Sequence, residues 1–278
     1  MTEFTESVKQ ILGISEGINP GWDFDEFFLG PQGRVFFEAR WKTTTDYHRG
    51  KEYENNQIVY ARIGKRIFLD SRLKKDLPQE LKEKEEFLYL ERFDSSLAIP
   101  QLLRYGALTL YALECLDLQR ETFLDLGSAD GCLSLLAHRK GACAAFLVDS
   151  DPRMKGKLKR HLKVNNFNNA NFTFIPQRIQ KSLISRIPAH EIGVVVANLG
   201  PHYGNADLDA IALLEHLPSV HTYVTGGYTD PSQSNHYLAR WHPRNAISAL
   251  QRWGFTEYQK VFEETSSGCP RLTVIAKK

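Results

Sequence analysis

The 278-residue sequence predicts an α/β fold, with a doubly wound, mostly parallel, seven-stranded sheet closed by a C-terminal antiparallel hairpin. A smaller β-rich α+β domain precedes it. Three observations lead there. From Gln101 onward, strand-like apolar runs alternate with helical patterns, as a parallel sheet with crossover helices requires. The run ETFLDLGSADGCLSLLA, Glu121 to Ala137, passes from an apolar strand through a glycine-bearing turn into a helix. The last two strand candidates stand too close in sequence for a crossover helix, so they must pair antiparallel.

The chain divides near residue 100, giving an expected N-terminal domain at 1–100 and a second at 101–278. In the first, FFLGPQGRVFFEARW (Phe27 to Trp41) reads as a hairpin around GPQG, and QIVYARIGKRIFL (Gln57 to Leu69) as another around IGKR. A charged helix is expected from about Gln79 to Arg92, gathering Leu81, Phe87, Leu88 and Leu90 on one side. In the second, strands are expected at Thr122–Asp125, Ala144–Asp149, Phe172–Ile175, Ile192–Asn198 and Thr222–Thr225. Helices are expected at Pro152–Val164, Asp207–His216 and Arg244–Trp253, the last stopped by Gly254. Glu257–Glu263 and Leu272–Ala276 form the closing hairpin.

The turn after the first strand carries the chemistry. Gly127 and Gly131 allow a sharp bend and a close backbone approach, with Ser128 between them and Asp130 as the expected N-cap of the following helix. A dinucleotide site wants G-x-G-x-x-G, whose bare helix amides seat a pyrophosphate. Here the order is D-x-G-x-x-x-G, and the leading Asp125 would repel a pyrophosphate but suits a cationic amino group. Asp149 ends the second strand eighteen residues past Gly131, where an acid holds the hydroxyls of a ribose. The pair points to a sulfonium nucleoside, S-adenosylmethionine, rather than a nicotinamide dinucleotide.

Composition excludes several classes. A hydrophobic content of 42% and a charged content of 24% are those of an ordinary globular protein. The net charge of +2 argues against a strongly polyanion-binding chain. The polar N-terminus MTEFTESVKQ and the lack of long apolar runs lead to an expected cytoplasmic protein with no membrane partner. Cys115, Cys132, Cys143 and Cys269 form no CxxC pair, and three have apolar neighbours, so reduced core thiols are expected. No metal site is expected: the histidines of HYLARWH, His236 and His242, are not on one helical face.

These motifs carry a family resemblance. DLGSADGCLSLLA, VDSDP, HLKVNNF (His161 to Phe167), VVVANLGP (Val194 to Pro201) and YVTGG followed by AISALQRWGF resemble the class I S-adenosylmethionine-dependent methyltransferases. Within them the chain is most similar to the ribosomal protein L11 methyltransferase (PrmA-like) family, over residues ~104–278. The resemblance implies a Rossmann-like methyltransferase sheet and S-adenosyl-L-methionine as cofactor. It assigns cofactor contacts to Asp125, Gly127, Ser128, Gly131, Asp149, Ser150, Asn198 and Thr109, and an adenine-side position to Gln177 and Arg178. The chain departs from the family pattern in having Ala129 as the middle residue of the turn and RYGALTL at the entry segment. Residues 1–100 do not resemble the family's recruiting domain.

The segment NLGPHYG, Asn198 to Gly204, is the expected catalytic element. Methyl transfer from a sulfonium is an in-line displacement, so catalysis consists mostly of positioning the acceptor. Asn198 would aim an amine lone pair, Tyr203 would wall the acceptor pocket with its ring face, and His202 would take the proton. The expected reaction is N-methylation of a protein amino group, with a ribosomal protein among the candidate partners. The basic run RMKGKLKRHLK, Arg153 to Lys163, leaves an RNA acceptor open, and a small amine or a non-catalytic interaction protein stay open beside it. Gly226 and Gly227 are expected to form a turn in the ligand crevice.

Overall fold

The structure is a computed structural model that describes residues 23–28, 34–48, 51–63, 66–75, 77–84, 86–90, 109–198, 206–228, 243–263 and 271–278. The chain separates into two compact units, Met1–Phe27 with Gly33–Ala107, and Phe28–Gln32 with Leu108–Lys278.

The first unit is built on a five-stranded sheet in the order β1-β2-β3-β4-β5. Its strands are β1 (Asp23–Phe28), β2 (Arg34–His48), β3 (Lys51–Ile63), β4 (Arg66–Asp70) and β5 (Glu86–Leu90). The described residues of both expected hairpin regions are strands, and β3 pairs antiparallel with β4. The long β2–β3 ribbon shifts register between Phe36 and Ala39, between Ala39 and Arg40, and between Thr43 and Asp46.

The charged helix expected to reach Arg92 is corrected here. Helix α1 spans only Gln79–Lys84, and β5 follows it, parallel to β4. Phe87, Leu88, Tyr89 and Leu90 are all buried. Four consecutive buried side chains fit a strand covered on both faces, whereas an amphipathic helix would leave one of them in water. The stack of Phe87 on Tyr89, with centroids 5.7 Å apart, reflects the same period of two.

The second unit holds a seven-stranded sheet in the order β11-β12-β10-β9-β6-β7-β8. Its elements are β6 (Thr122–Leu126), α2 (Cys132–Arg139), β7 (Ala144–Asp149), α3 (Met154–Val164), β8 (Phe172–Pro176), β9 (Ile192–Ala197), α4 (Ala206–Ala212), β10 (Thr222–Tyr228), α5 (Pro243–Gln251), β11 (Glu257–Glu263) and β12 (Arg271–Lys277). Strands β6 to β10 run parallel. The expected closing hairpin forms, and β12 inserts antiparallel between β10 and β11. Every residue of β6 and β9 is buried, as central parallel strands under helices must be.

This topology fixes where a ligand can sit. From β6 the chain builds outward through β7 and β8, then crosses back to place β9 on the other side of β6. Helices therefore leave the two sides of β6 in opposite directions, and a crevice opens at the carboxyl ends of β6 and β9.

Two smaller expectations are also corrected. Gly226 and Gly227 lie inside β10, paired with Thr273 and Leu272, rather than in a turn. Cys132 is buried, but Cys115 and Cys143 are exposed free thiols; their apolar sequence neighbours pack inward while they face out. Cys269, His236 and His242 lie outside the described residues.

Candidate active site

The turn after β6 alternates left-handed residues: Gly127 (φ 76°), Ala129 (φ 47°) and Gly131 (φ 85°). It is tied to the end of β7, where Gly127 and Ser128 donate their amides to the Val148 carbonyl at 2.8 and 3.0 Å. Ala129 donates its amide to Asp149 Oδ2 at 2.9 Å. A left-handed alanine costs on the order of 1 kcal/mol, and a charge-assisted bond to a carboxylate offsets a cost of that size.

Gly131 also serves packing. A Cβ there would lie 2.7 Å from Leu158 and 2.9 Å from Leu147, so its bareness lets the start of α2 close on α3 and β7. Gly131 is itself the N-cap of α2. Asp130, expected in that role, instead accepts from the Cys132 amide at 3.4 Å. The left-handed turn pushes the cap one residue further along.

Asp125 is fully buried near the end of β6. Its Oδ2 accepts a 2.7 Å hydrogen bond from Ser134 Oγ, and its Oδ1 has no hydrogen-bond partner among the described residues. Burial raises its pKa to about 7; the Ser134 hydrogen bond lowers it, while the Asp149 and Asp130 charges add to the rise. Ser128 Oγ, also buried, likewise has no hydrogen-bond partner among the described residues. Buried polar atoms are nearly always paired, so these two mark a place where a bound polar group belongs. Sequence reading missed Ser134, although a serine within the apolar face of α2 was a usable signal.

Asp149 ends β7, and its carboxylate also accepts from the Asp151 amide at 2.8 Å. Each of its oxygens thus holds one backbone amide and keeps a second lone-pair direction. Ser150 is exposed beside it. The Gln177 side chain is turned into the 3₁₀ segment Lys181–Arg186, donating to Ser182 Oγ at 2.7 Å and accepting from Arg186 at 3.1 Å. Arg178 is exposed.

Across the crevice, Thr109 opens the described part of a helical segment at 109–114 and is buried. It donates its hydroxyl to Asn198 Oδ1 at 3.0 Å, just past the end of β9. A Cβ on Gly226 would lie 3.1 Å from both of those oxygens and 2.9 Å from Thr273 Oγ1. Glycine at this point of β10 therefore leaves room for the three polar side chains. Thr273 was not anticipated from sequence. His202 and Tyr203, expected as catalytic, lie outside the described residues, as do Leu199 and Gly200.

Helix α3 presents Lys155, Lys159, Arg160 and Lys163 to solvent and buries Leu158, His161 and Leu162, with exposed Arg153 as its N-cap. Asp130, Cys132 and His161 bring one potential ligand atom each to within 4.8 Å of one another. Sequence reading missed this cluster because His161 is 29 residues from Cys132. No helix among the described residues is long and apolar enough to cross a membrane.

Residues 106–200 match the family profile described as ribosomal protein L11 methyltransferase (PrmA). No curated protein matches the sequence. Among solved structures, a ribosomal protein L11 methylase from Lactobacillus delbrueckii subsp. bulgaricus aligns at 15% identity and TM-score 0.55, over 77% of this chain and 96% of its own. An rRNA methylase from Streptococcus thermophilus aligns at 13% identity and TM-score 0.44, over 63% and 96%. The magnesium protoporphyrin IX methyltransferase of Synechocystis PCC 6803, solved with bound S-adenosylmethionine, aligns at 16% and 0.46, over 65% and 81%. At such identities the first of these shows a shared fold, and no acceptor follows from the other two.

Proposed function

Since residues 106–200 belong to the PrmA family of class I S-adenosylmethionine-dependent methyltransferases, we propose that this protein N-methylates a protein amino group, with a ribosomal protein as the candidate acceptor. The observation that carries the site assignment is the buried Asp125 Oδ1, which lacks a hydrogen-bond partner among the described residues at the carboxyl end of β6. S-adenosylmethionine is the family's cofactor, and its α-ammonium is the kind of donor that such an oxygen accepts.

In this reading Asp125 receives the ammonium, held in place by Ser134, while Ser128 Oγ and the Gly127–Gly131 turn face the rest of the amino-acid portion. Asp149 takes the ribose hydroxyls with the lone pairs its two amide partners leave, and Ser150 lies toward the adenine. When bound, the cofactor supplies a methyl group already activated by its sulfonium. The protein's own task is then to orient and desolvate an amine. Asn198, fixed by Thr109, presents a carbonyl oxygen toward the acceptor. Tyr203 walls the acceptor, and His202 removes the proton the amine sheds. Residues 1–100 serve as the accessory unit that presents the acceptor.

A second reading keeps the cofactor and puts the acceptor on RNA. The exposed basic arc of α3 favours it. Incubation with methyl-labelled cofactor and a total cell extract decides between them. Label that a protease removes and a nuclease leaves supports the protein reading. Label that a nuclease removes, with a steep loss at higher salt, replaces it with the second, and no label in any fraction rejects both.

A further inference from the structure

We propose that Asp130, Cys132 and His161 form a binding site for a thiophilic divalent cation of the zinc type, clamping the glycine turn to α3. The three residues come from different places: the last bend of the turn, the first residue of α2 and the middle of α3. Their ligand atoms converge to within 4.8 Å of one another, with Cys132 and His161 buried.

The histidine is oriented as a metal-binding imidazole is. His161 Nδ1 lies 3.1 Å from the Asp130 carbonyl oxygen. A carbonyl only accepts, so the proton sits on Nδ1 and the lone pair on Nε2. Ligating histidines are commonly fixed this way, donating the other ring N–H to a backbone carbonyl. Cys132 and Asp130 are already held together, the Cys132 amide donating to Asp130 Oδ1 at 3.4 Å.

Charge and size both fit. A thiolate, a carboxylate and a neutral imidazole around a dication sum to zero, which is the balance a buried site tolerates. The exchange is simple: the Cys132 thiol gives up its proton to solvent, and the sulfur forms a bond to the metal. Zinc bonds of about 2.0–2.3 Å place tetrahedral donors about 3.3–3.8 Å apart, so side-chain rotations that draw the three donors in by about an ångström close the site. Asp130 is only half-buried, which leaves an approach for the ion and a side for a fourth, water ligand. Soft thiolate with imidazole selects zinc over magnesium or calcium, which want oxygen shells.

The test uses cobalt(II) as the optical probe on the full-length chain, stripped with a chelator and kept reduced without thiols. The expected result is one equivalent of cobalt per chain, with a thiolate charge-transfer band and tetrahedral d–d bands, displaced by zinc. A variant with Cys115, Cys143 and Cys269 all changed to serine keeps these bands. Cys132→Ser loses the charge-transfer band, and His161→Gln and Asp130→Asn weaken cobalt binding by about tenfold or more. Circular dichroism checks that each variant is folded; Asp130→Asn, at a half-buried position, keeps the comparison open if the buried variants are not. Absence of a thiolate band in the wild-type chain overturns the proposal, as does a band that survives in folded Cys132→Ser. Neither outcome bears on methyl transfer, so the two proposals fail separately.

Discussion

Thr109 and Asn198, 89 residues apart in sequence, are joined by a 3.0 Å hydrogen bond at the carboxyl end of β9. The bond links the helical segment that enters the second unit to the strand end facing the crevice. It leaves Asn198 with one orientation rather than several. Thr109→Val keeps the shape and removes the donor. The expected outcome is a kcat lowered about tenfold, for the loss of one positioning hydrogen bond, with cofactor affinity nearly unchanged. Asn198→Ala slows turnover more than that and again spares cofactor binding. Single-turnover kinetics beside calorimetry with S-adenosylhomocysteine separates the two effects, and equal losses in both would reject the positioning role.

Gly226 tests the same cluster from β10. A Cβ there meets Thr109, Asn198 and Thr273 at 2.9–3.1 Å, so Gly226→Ala must part the first two. Turnover falls while the melting temperature moves little, because the groups that must shift are the ends of polar side chains rather than the apolar core. A large loss of stability with unchanged kcat would contradict this.

The pKa of about 7 at Asp125, against an ordinary 3.8, makes two linked predictions. Between those values the folded protein holds a proton that the unfolded chain has released. Stability of the unliganded protein therefore falls as pH rises from about 4 toward 7. A bound ammonium requires the ionised form, so affinity for S-adenosylhomocysteine rises about tenfold from pH 6 to pH 8. Asp149 and Asp130 are the charges that add to the rise, and neither changes the sign. Asp125→Asn binds weakly with a flat profile in calorimetry. An unchanged slope in that variant would assign the proton elsewhere.

The turn residues Ala129 and Gly131 respond in opposite directions. Ala129 pays left-handed strain without needing its methyl group, so Ala129→Gly is stabilising or neutral, by up to about 1 kcal/mol. Gly131→Ala adds strain at φ 85° and drives a methyl against Leu158 and Leu147, losing about 1–3 kcal/mol. Urea denaturation measures both. Destabilisation of equal size in the two variants would contradict the division between strain and packing.

The parallel sheet was legible because its strands are short apolar runs, most of them bounded on one side by glycine, proline or an acid, and because buried parallel strands need no partner-specific pattern. Strand β7 was expected at Ala144–Asp149 and is found there. The stretch after Pro78 was not legible. Its first six residues have helical character, and the run Phe87–Leu90 reads equally well as a helix stripe or a covered strand; only pairing with β4 settles it. The cap at Gly131 was misread for a related reason, since a left-handed glycine moves the helix start beyond the residue whose side chain looks like a cap.

Local pattern alone determined the alternation of elements, the glycine turn and the placing of two acids at the ends of adjacent strands, because each is a relation between near neighbours in the chain. Tertiary structure decided which distant groups meet: Thr109 with Asn198, Ser134 with Asp125, and His161 with Asp130 and Cys132. Those meetings depend on strand order and helix packing, which bring together residues 9 to 89 positions apart. No periodicity along the chain encodes them.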